Sequence, residues 1–291
     1  MTTTDTPNAP PFGTFGPSLW TRARVGRMDL GQKANVSDRR FRRLRRWLRR
    51  SRPTLDITHR GLNLRLYPGE NVCDLKLVVY GDHPAHAELG RAAEVLKTAR
   101  VYVDVGANIG IYSLIARSLM PARARLVAFE PDPVTHGKLC QNLAFNGADN
   151  VTVINAAVGA REETLTLYMA TKNNVGRNTL KPELGGGGKG VSVPVRPLAT
   201  MLAEEGVTAI DLMKVDVEGF EAEALAPFFD TAPESLWPTY LMLEVVAKAH
   251  WNTDLLGLLA SCDYDCVFET PDDMHFRRNP ASGSHSPESE R

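Results

Sequence analysis

The fold is decided by the stretch Val101-Tyr-Val-Asp-Val-Gly-Ala-Asn-Ile-Gly110. Its first five residues are mostly β-branched or aromatic and lack polar alternation, which is typical of a buried parallel strand. Gly106 and Gly110 follow at once, and Ile111 to Leu119 is predicted to form a helix. A strand, a glycine turn and a helix in this order can bind a nucleotide-like ligand at the carboxyl end of the strand. A helix that merely packs tightly on a sheet gives the same pattern.

A second apolar run, Arg125-Leu-Val-Ala-Phe-Glu130, ends in a carboxylate just before Pro131. Glu130 lies 20 residues after Gly110. In a βαβ unit this spacing puts an acid at the tip of the neighbouring strand, where it can accept hydrogen bonds from both hydroxyls of a ribose. The alternative is a helix N-cap or a solvated acid in a turn.

The turn distinguishes two cofactors that share this spacing, a dinucleotide and S-adenosylmethionine (SAM). A dinucleotide requires Gly-x-Gly-x-x-Gly, so that backbone N–H groups can bind its pyrophosphate. Here Ala107 and Asn108 follow Gly106, and the second glycine of that pattern is absent. Asp104 would repel a pyrophosphate, but it can pair with an ammonium group, directly or through water. SAM carries an amino-acid end and no phosphate, so the turn favours SAM.

A third motif lies on a further predicted strand, Ile210-Asp-Leu-Met-Lys-Val-Asp-Val-Glu218. Alternation along a strand gives Lys214, Asp216 and Glu218 a common face. In a doubly wound sheet this strand lies beside the first one, at the switch point where ligands bind. Because buried charges need partners, the triplet is interpreted either as part of a site or as a mutually neutralising cluster that holds the strand tip.

Three motifs, taken together and in order, resemble the FkbM family of SAM-dependent methyltransferases: Val103–Gly110, Ala128–Pro133 and Lys214–Glu221. The resemblance runs from about Leu62 to about Phe268. It implies an α/β fold of the class I SAM-dependent methyltransferase (Rossmann-like) type, with a doubly wound sheet and, here, an N-terminal β-hairpin extension.

The resemblance also implies a site. The residues that it assigns to SAM are Asp104, Gly106, Asn108, Gly110, Glu130, Asn155 and Ala156. Of these, Asn155 and Ala156 stand at the tip of the third strand, which faces the adenine. The segment Asn173–Leu180 resembles the family's segment near the acceptor, and the implied acceptor is a hydroxyl of a sugar, a glycolipid or a related metabolite. The chain departs from the family at Leu198-Ala199, where the family often has Leu-Asp.

Methyl transfer to a hydroxyl benefits from a group that removes the hydroxyl proton. Asp216 is the candidate base, and Glu218 and Lys214 are its charged neighbours. Alternatively, Asp216, Glu218 and Glu244 hold a divalent cation that lowers the pKa of the acceptor hydroxyl, and the sequence leaves both readings open. Two other classes of protein remain as alternatives, an NAD-dependent oxidoreductase and a SAM-binding module without turnover.

Charge is distributed unevenly along the chain, although the 34 basic and 34 acidic residues cancel. Residues 1–52 carry a net charge of +10 and the remainder a net charge of −10. The acidic body argues against nucleic acid as a partner. The predicted organisation is a disordered and basic N-terminal segment, the hairpin extension, the SAM-dependent methyltransferase domain and a disordered tail, with the bounds 1–52, 53–82, 83–278 and 279–291.

Residues 38–52 contain nine arginines and an apolar stripe, and they are predicted to form an amphipathic helix with Asp38 as its N-cap. The stripe consists of Phe41, Leu44, Trp47 and Leu48. Such a helix can lie on an anionic membrane surface, or it can dock on the acidic body of the same chain. The four cysteines form no CxxC pair, which favours free thiols in a reducing cytosol. The expected location is therefore the cytoplasm, and the alternative is peripheral attachment to the inner surface of the membrane.

Between the basic segment and the first motif, two runs are predicted to form an antiparallel hairpin, Leu62–Pro68 and Leu75–Tyr80. Pro84–Ala99 is predicted to form one helix. His83 and His86 flank its start, where a capping or surface role is expected rather than a role at the entrance of a site.

Overall fold

The computed structural model describes residues 10–26, 39–170, 175–185, 187 and 189–279. The predicted N-cap Asp38 and nearly all of the predicted C-terminal tail lie outside these residues. Residues 10–26 belong to the segment predicted to be disordered, and they form a turn and a helix instead.

Helices and strands alternate along most of the chain. The helices are α1 (Leu19–Gly26), α2 (Arg39–Ser51), α3 (Val72–Tyr80), α4 (Pro84–Arg91), α5 (Ala93–Thr98), α6 (Ile111–Leu119), α7 (Pro133–Ala144), α8 (Leu198–Glu204), α9 (Glu221–Thr231) and α10 (Leu255–Ser261). The strands are β1 (Leu55–His59), β2 (Leu62–Leu66), β3 (Val101–Val105), β4 (Arg125–Phe129), β5 (Val151–Ile154), β6 (Ala157–Val158), β7 (Glu163–Tyr168), β8 (Gly190–Arg196), β9 (Leu212–Val215), β10 (Tyr240–Glu244), β11 (Tyr264–Glu269) and β12 (Asp273–Arg278).

The main sheet has seven strands in the order β11-β12-β10-β9-β3-β4-β5. The strands from β10 to β5 in this order are parallel, whereas β12 is antiparallel to both β10 and β11. In the register, Val103 lies between Val127 on β4 and Met213 on β9. The strand order reverses at β3, so this strand stands at the switch point of a doubly wound sheet. The predicted class I methyltransferase-like α/β fold is therefore confirmed.

Two apolar cores cover the two faces of this sheet. Val103 and Val105 point into the core that is built with α8, α9 and α10, while Tyr102 points into the core that contains residues of α4, α5, α6 and α7. Because alternate side chains of each strand are buried on opposite faces, β3 has no exposed polar face. A smaller sheet, in the order β6-β8-β7, follows the third parallel strand.

The prediction of a strand at Leu75–Tyr80 was wrong. These residues belong to α3, and the hairpin partner of β2 is β1. Local caps explain the difference, because the Asn71 side chain accepts a hydrogen bond from the backbone N–H of Cys73, and Gly81 ends the helix in the left-handed conformation with φ of 67°. A short apolar run does not by itself separate a buried helix from a strand.

Other predicted elements are present but shorter. The helix predicted over Pro84–Ala99 is interrupted at Ala92, which separates α4 from α5. The strand predicted over Val151–Val158 divides into β5 in the main sheet and β6 in the small sheet. The strand predicted over Ile210–Glu218 covers only Leu212–Val215, so Asp216 and Glu218 lie in the turn beyond it. All four cysteines are free thiols, as predicted.

The basic helix α2 is docked on the body of the protein. Phe41, Leu44 and Leu48 are at most 3% exposed, and they pack with Leu55 and Leu75. Its apolar stripe is therefore covered by the same chain, as in the docking alternative. Most of its arginines face outward. Within the described part of the chain, no helix is both long and apolar enough to cross a membrane.

Residues 10–15 close over a buried ion pair in the hairpin. Arg65 Nε lies 2.7 Å from Asp56 Oδ1, and both side chains are at most 2% exposed. The guanidinium also donates to the carbonyls of Pro10 and Pro11, and it lies 4.8 Å from the centre of the Phe15 ring. All five N–H donors of a buried arginine need acceptors. The carbonyls of Pro10 and Pro11 supply two of these acceptors.

Candidate active site

A cavity of about 500 Å³ opens at the carboxyl ends of the parallel strands. This volume falls in the range of roughly 300–1,000 Å³ that is typical of small-molecule sites. Its walls come from the turns after β3, β4 and β9, from the end of β10 and from the residues between β5 and β6. Residues at the starts of α3 and α4, which precede β3 in the chain, complete the wall of the cavity.

The turn after β3 is shaped by two glycines. Gly106 has φ of 82°, and a Cβ at this position would collide with the carbonyl oxygen of Asp216. Gly110 has φ of 87°, and a Cβ there would collide with Leu139 on α7. Only glycine combines this backbone conformation with such close contacts. Asn108 between them also has positive φ, at 51°, and its buried Oδ1 has no hydrogen-bond partner in the described part of the protein.

Glu130 borders the cavity at the end of β4. Its Oε2 accepts a hydrogen bond of 2.9 Å from the backbone N–H of Asn108, and its Oε1 accepts one of 3.0 Å from the N–H of Asp132. Burial raises the pKa of Glu130 to about 8, although these two hydrogen bonds oppose the shift. A carboxylate has about four acceptor positions, so two remain for a ligand.

The two residues predicted to face the adenine have different positions. Ala156 lines the cavity, whereas Asn155 does not. The Asn155 side-chain amide donates to the carbonyl oxygens of Glu130 at 2.8 Å and of Pro131 at 3.0 Å. Asn155 thus holds the turn that presents Glu130, and this contact falls at the point where the third strand divides.

Asp104 lies behind the cavity wall. The side chain is fully buried, and its Oδ2 accepts a hydrogen bond of 2.6 Å from the Ser113 hydroxyl. Burial raises the pKa of Asp104, and Lys214 partly offsets that effect. Its other oxygen has no partner among the described residues. Because Asp104 does not line the cavity, the direct pairing with an ammonium group does not fit this geometry, and pairing through water stays a prediction.

The turn after β9 brings the predicted charged triplet to the cavity. Lys214 Nζ lies 2.9 Å from Asp216 Oδ2 and 4.5 Å from the centre of the Tyr112 ring. Burial alone would lower the pKa of Lys214, but the charges of Asp216 and Asp104 outweigh burial and raise it. Lys214 is therefore a permanent cation that fixes one oxygen of Asp216.

Three carboxylates converge beside this lysine. One oxygen each from Asp216, Glu218 and Glu244 lies within 4.8 Å of the others. Burial and the charge of Asp216 raise the pKa of both Glu218 and Glu244. Glu218 has φ of 53° and pairs with Arg177 at 3.7 Å, while the buried Oε2 of Glu244 has no partner in the part of the chain that the structure describes. Such a group can accept a proton or hold a hard cation.

Several cavity residues were not predicted. His83 caps α4 as expected, since its Nδ1 accepts a hydrogen bond of 3.2 Å from the backbone N–H of Ala85. It also lines the cavity. Tyr112 donates to Glu88 at 2.6 Å. Asp273 is opposite Glu244 in the antiparallel pair of β12 and β10. The position of Tyr112 just after the glycine turn could have identified it as a cavity residue. The pairing of Asp273 with Glu244 leaves no local signal in the sequence.

The segment that resembles the family's acceptor region also reaches the cavity. Gly176, Arg177, Asn178 and Leu180 line it, and the Thr179 hydroxyl donates to the carbonyl oxygen of Glu218 at 2.7 Å. The first residues of that segment, 173 and 174, lie outside the described residues.

The sequence profile of the Methyltransferase FkbM domain matches residues 104–265, which cover more than half of the chain and include every wall of the cavity that the parallel strands form. The chain belongs to the FkbM methyltransferase family. This membership confirms the resemblance that the three motifs gave.

Two methyltransferase relatives show how far the similarity extends. Methyltransferase sdnD of Sordaria araneosa is 35% identical over 152 residues, covering 42% of this chain and 58% of its own length. The 31-O-demethyl-FK506 methyltransferase FkbM of Streptomyces tacrolimicus is 30% identical over 188 residues, covering 56% of this chain and 70% of its own length. A solved methyltransferase from Geobacter sulfurreducens aligns at 15% identity with a TM-score of 0.43, over 68% of this chain and 80% of its own.

Proposed function

We propose that this protein is a SAM-dependent O-methyltransferase. The observation that carries the proposal is the meeting, on one cavity, of two groups of residues. The glycine turn and Glu130 form the first group, and Lys214 with the three carboxylates forms the second. The first group suits a nucleoside with ribose hydroxyls, and the second suits proton removal from an acceptor.

The residues of the first group fit SAM. Glycine at position 106 keeps the turn close to the backbone of Asp216, and Glu130 keeps free acceptor positions. The Asn108 Oδ1, which has no partner among the described residues, can accept a hydrogen bond from a ligand. When bound, SAM supplies a methyl group on a positively charged sulfur, already activated for transfer. No phosphate has to be accommodated, which agrees with the acidic character of the cavity.

The residues of the second group would hold the acceptor and take its proton. Lys214 occupies Oδ2 of Asp216, which leaves Oδ1 to accept the hydroxyl proton. Burial and the charge of Asp216 raise the pKa of Glu218 and Glu244, so these neighbouring carboxylates can share the transferred proton. Holding the acceptor oxygen in line with the methyl group and excluding water would supply the rest of the acceleration.

A divalent cation remains the alternative way to activate the acceptor. Asp216, Glu218 and Glu244 offer only oxygen atoms, the donor set that Mg²⁺ and Ca²⁺ prefer. In this version the carboxylates hold the cation, and the cation lowers the pKa of the acceptor hydroxyl. The donor atoms suit both versions, so the experiment below includes a chelator.

We propose as acceptor a hydroxyl of a sugar, a glycolipid or a related hydroxylated metabolite. The name of the Streptomyces relative gives an oxygen acceptor, 31-O-demethyl-FK506, which supports oxygen as the atom methylated. An acceptor on a lipid would agree with the outward-facing arginines of α2, which can hold the enzyme at an anionic membrane surface on the cytoplasmic side.

The experiment that tests the function combines binding with turnover. Calorimetry with SAM and with NADH should give heat for SAM alone, because the second glycine of the dinucleotide turn is missing. A panel of hydroxylated sugars and glycolipids, incubated with SAM labelled in its methyl group, should then yield a labelled product. Binding of NADH would support an oxidoreductase, and binding of SAM without any labelled product would support a module without turnover.

A further inference from the structure

A second cluster of ligand-type side chains lies outside the cavity, where the hairpin meets α4. His59 is the last residue of β1, Asp82 lies in the loop after α3, and His86 is in the first turn of α4. One donor atom from each residue lies within 4.8 Å of the others. The two histidines are partly buried and Asp82 is exposed, so the cluster is open to solvent on the side of the carboxylate.

The two imidazoles face each other through the same nitrogen. His59 Nε2 and His86 Nε2 are 2.9 Å apart, and the ring centres are 5.0 Å apart with planes tilted by 56°. Two N–H groups cannot point at each other at this distance. Either one nitrogen donates to the other, or both present lone pairs to a shared cation.

The charged groups beside the two imidazoles are Asp82 and Arg60. Asp82 supplies the negative charge, and the cation next to it is Arg60, which contacts the carboxylate at 3.4 Å from an exposed position. A metal ion would replace that weak surface pair.

We propose that His59, Asp82 and His86 form a binding site for a divalent transition-metal cation of the zinc type. Two imidazoles and one carboxylate are a donor set that suits Zn²⁺, with a fourth position left for water. Nitrogen ligands about 2.0–2.1 Å from one tetrahedral ion are roughly 3.4 Å apart, so the present separation would have to widen by only about 0.5 Å. The all-oxygen cluster in the cavity suits a harder cation instead.

Such a site would tie the hairpin to the wall of the cavity. The three ligands come from three separate parts of the chain, and α4 carries Glu88 and is capped by His83, both of which line the cavity. An ion held by the cluster stabilises the folded state only, because the unfolded chain does not bring the ligands together. The expected consequence is a metal-dependent increase in the melting temperature.

The test uses the full chain without a polyhistidine tag, in a buffer that does not bind metals. Titration of Zn²⁺ in the calorimeter should give one site per chain. The variants His59→Ala and His86→Ala should each weaken binding at least tenfold, and Zn²⁺ should raise the melting temperature of the unchanged protein but not of these variants. His250→Ala removes an exposed histidine of the same type outside the cluster, and this control should bind like the unchanged protein.

Asp82→Asn keeps the proposal testable if a histidine variant fails to fold, because Asp82 is 62% exposed and its loss leaves the core intact. This variant should also bind Zn²⁺ more weakly. The proposal is overturned if the unchanged protein binds no Zn²⁺, or if all three cluster variants bind it as well as His250→Ala does. If Asp216→Asn loses Zn²⁺ binding and the cluster variants keep it, the ion binds in the cavity and the proposal is also overturned.

Discussion

The backbone at Gly106 rests against the carbonyl oxygen of Asp216, in the space that a side chain at residue 106 would need. The turn after β3 and the turn after β9 are therefore in direct contact. The first turn carries the SAM motif and the second carries the candidate base, so the position of one sets the position of the other.

Gly106→Ala should disrupt the site more than the fold. The new Cβ meets the Asp216 carbonyl, and φ of 82° is strained for alanine, so we expect a loss of about 1–3 kcal/mol in unfolding free energy and at least a tenfold loss of SAM affinity. Denaturant unfolding and calorimetry measure the two effects. Gly137→Ala is the matched control, because Gly137 lies within α7 and its Cβ would meet nothing within 4 Å. The control should gain about 0.5–1 kcal/mol in stability, and similar losses in both variants would contradict the assignment.

At pH 9, where the Glu130 carboxylate is ionised, Glu130→Ala should weaken SAM binding by about 1–3 kcal/mol, since two charge-assisted hydrogen bonds to the ribose would be lost. Glu94→Ala, which removes an exposed glutamate on α5, should bind SAM normally in the same calorimetric assay. If Glu130→Ala also binds normally, then Glu130 is not the ribose ligand.

The same residue predicts a pH dependence. Burial raises the pKa of Glu130 to about 8, and the ionised carboxylate is the better acceptor for ribose hydroxyls. SAM affinity should therefore rise as the pH increases from 6 to 9. In Glu130→Gln the side chain does not titrate, so this part of the dependence should vanish.

Asp216→Asn should preserve SAM binding and reduce turnover by roughly 10²–10⁴-fold, because the amide cannot accept the hydroxyl proton. Asp272→Asn makes the same change at an exposed residue on the cavity rim and should leave turnover nearly intact. Near-normal turnover of Asp216→Asn would exclude Asp216 as the base. Loss of activity in EDTA, with recovery on adding Mg²⁺, would instead establish the metal version.

The sequence predicted the parallel strands and the glycine turn correctly, because buried runs such as Val101–Val105 and the Gly106 turn are local signals. It failed at Leu75–Tyr80, where the caps at Asn71 and Gly81 outweigh the strand-like composition. The charged triplet was found for a partly wrong reason. Strand alternation does not place Glu218, since the strand ends at Val215 and a turn brings the carboxylate back to the site.

The residues that came from distant parts of the chain could not be predicted. Glu88 reaches the cavity because α4 packs on α6, where Tyr112 donates to it. Asp273 reaches the cavity through antiparallel pairing of β12 with β10. Neither arrangement has a spacing rule that a single sequence displays, because both depend on the packing of complete elements.

His83 should make the protein less stable in mild acid. Burial lowers the pKa of His83 to about 3, whereas an unfolded histidine titrates near 6.5. The stability that the neutral ring contributes is present above pH 6.5 and is lost as the pH falls below it, by up to about 1.4 kcal/mol per pH unit. His83→Asn keeps a capping acceptor without titration. Between pH 6.5 and pH 5, the free energy of unfolding should fall by about 1–2 kcal/mol more for the unchanged protein than for this variant. An equal fall in both proteins would contradict the prediction.

The outward-facing arginines of α2 should bind anionic vesicles at low salt. Each arginine near such a surface contributes about 1 kcal/mol, and the attraction should weaken at high salt, since the Debye length is about 10 Å at 0.1 M. Sedimentation with anionic vesicles should be lost when four exposed arginines on one face are changed to glutamine, namely Arg39, Arg43, Arg46 and Arg50.

A control variant removes four exposed positive charges elsewhere, at Lys97, Arg100, Arg161 and Lys248. This variant should still sediment with the vesicles, and neutral vesicles should bind neither protein. If the unchanged protein ignores anionic vesicles at low salt, α2 is a docking element alone. Deletion of residues 1–52 is a poor substitute for these variants, because it would expose Leu55 and Leu75 to water.

The ion pair of Asp56 and Arg65 bears on where a recombinant form of this protein can begin. A form that starts at the first residue of the family profile would lack the whole hairpin. A form that starts after α1 would leave the Arg65 guanidinium without the carbonyls of Pro10 and Pro11. Arg65 also donates its backbone N–H to Asn142 on α7, so the damage would spread toward the helix that follows Glu130. A shortened form that expresses poorly would then report a misplaced boundary and not an unstable enzyme.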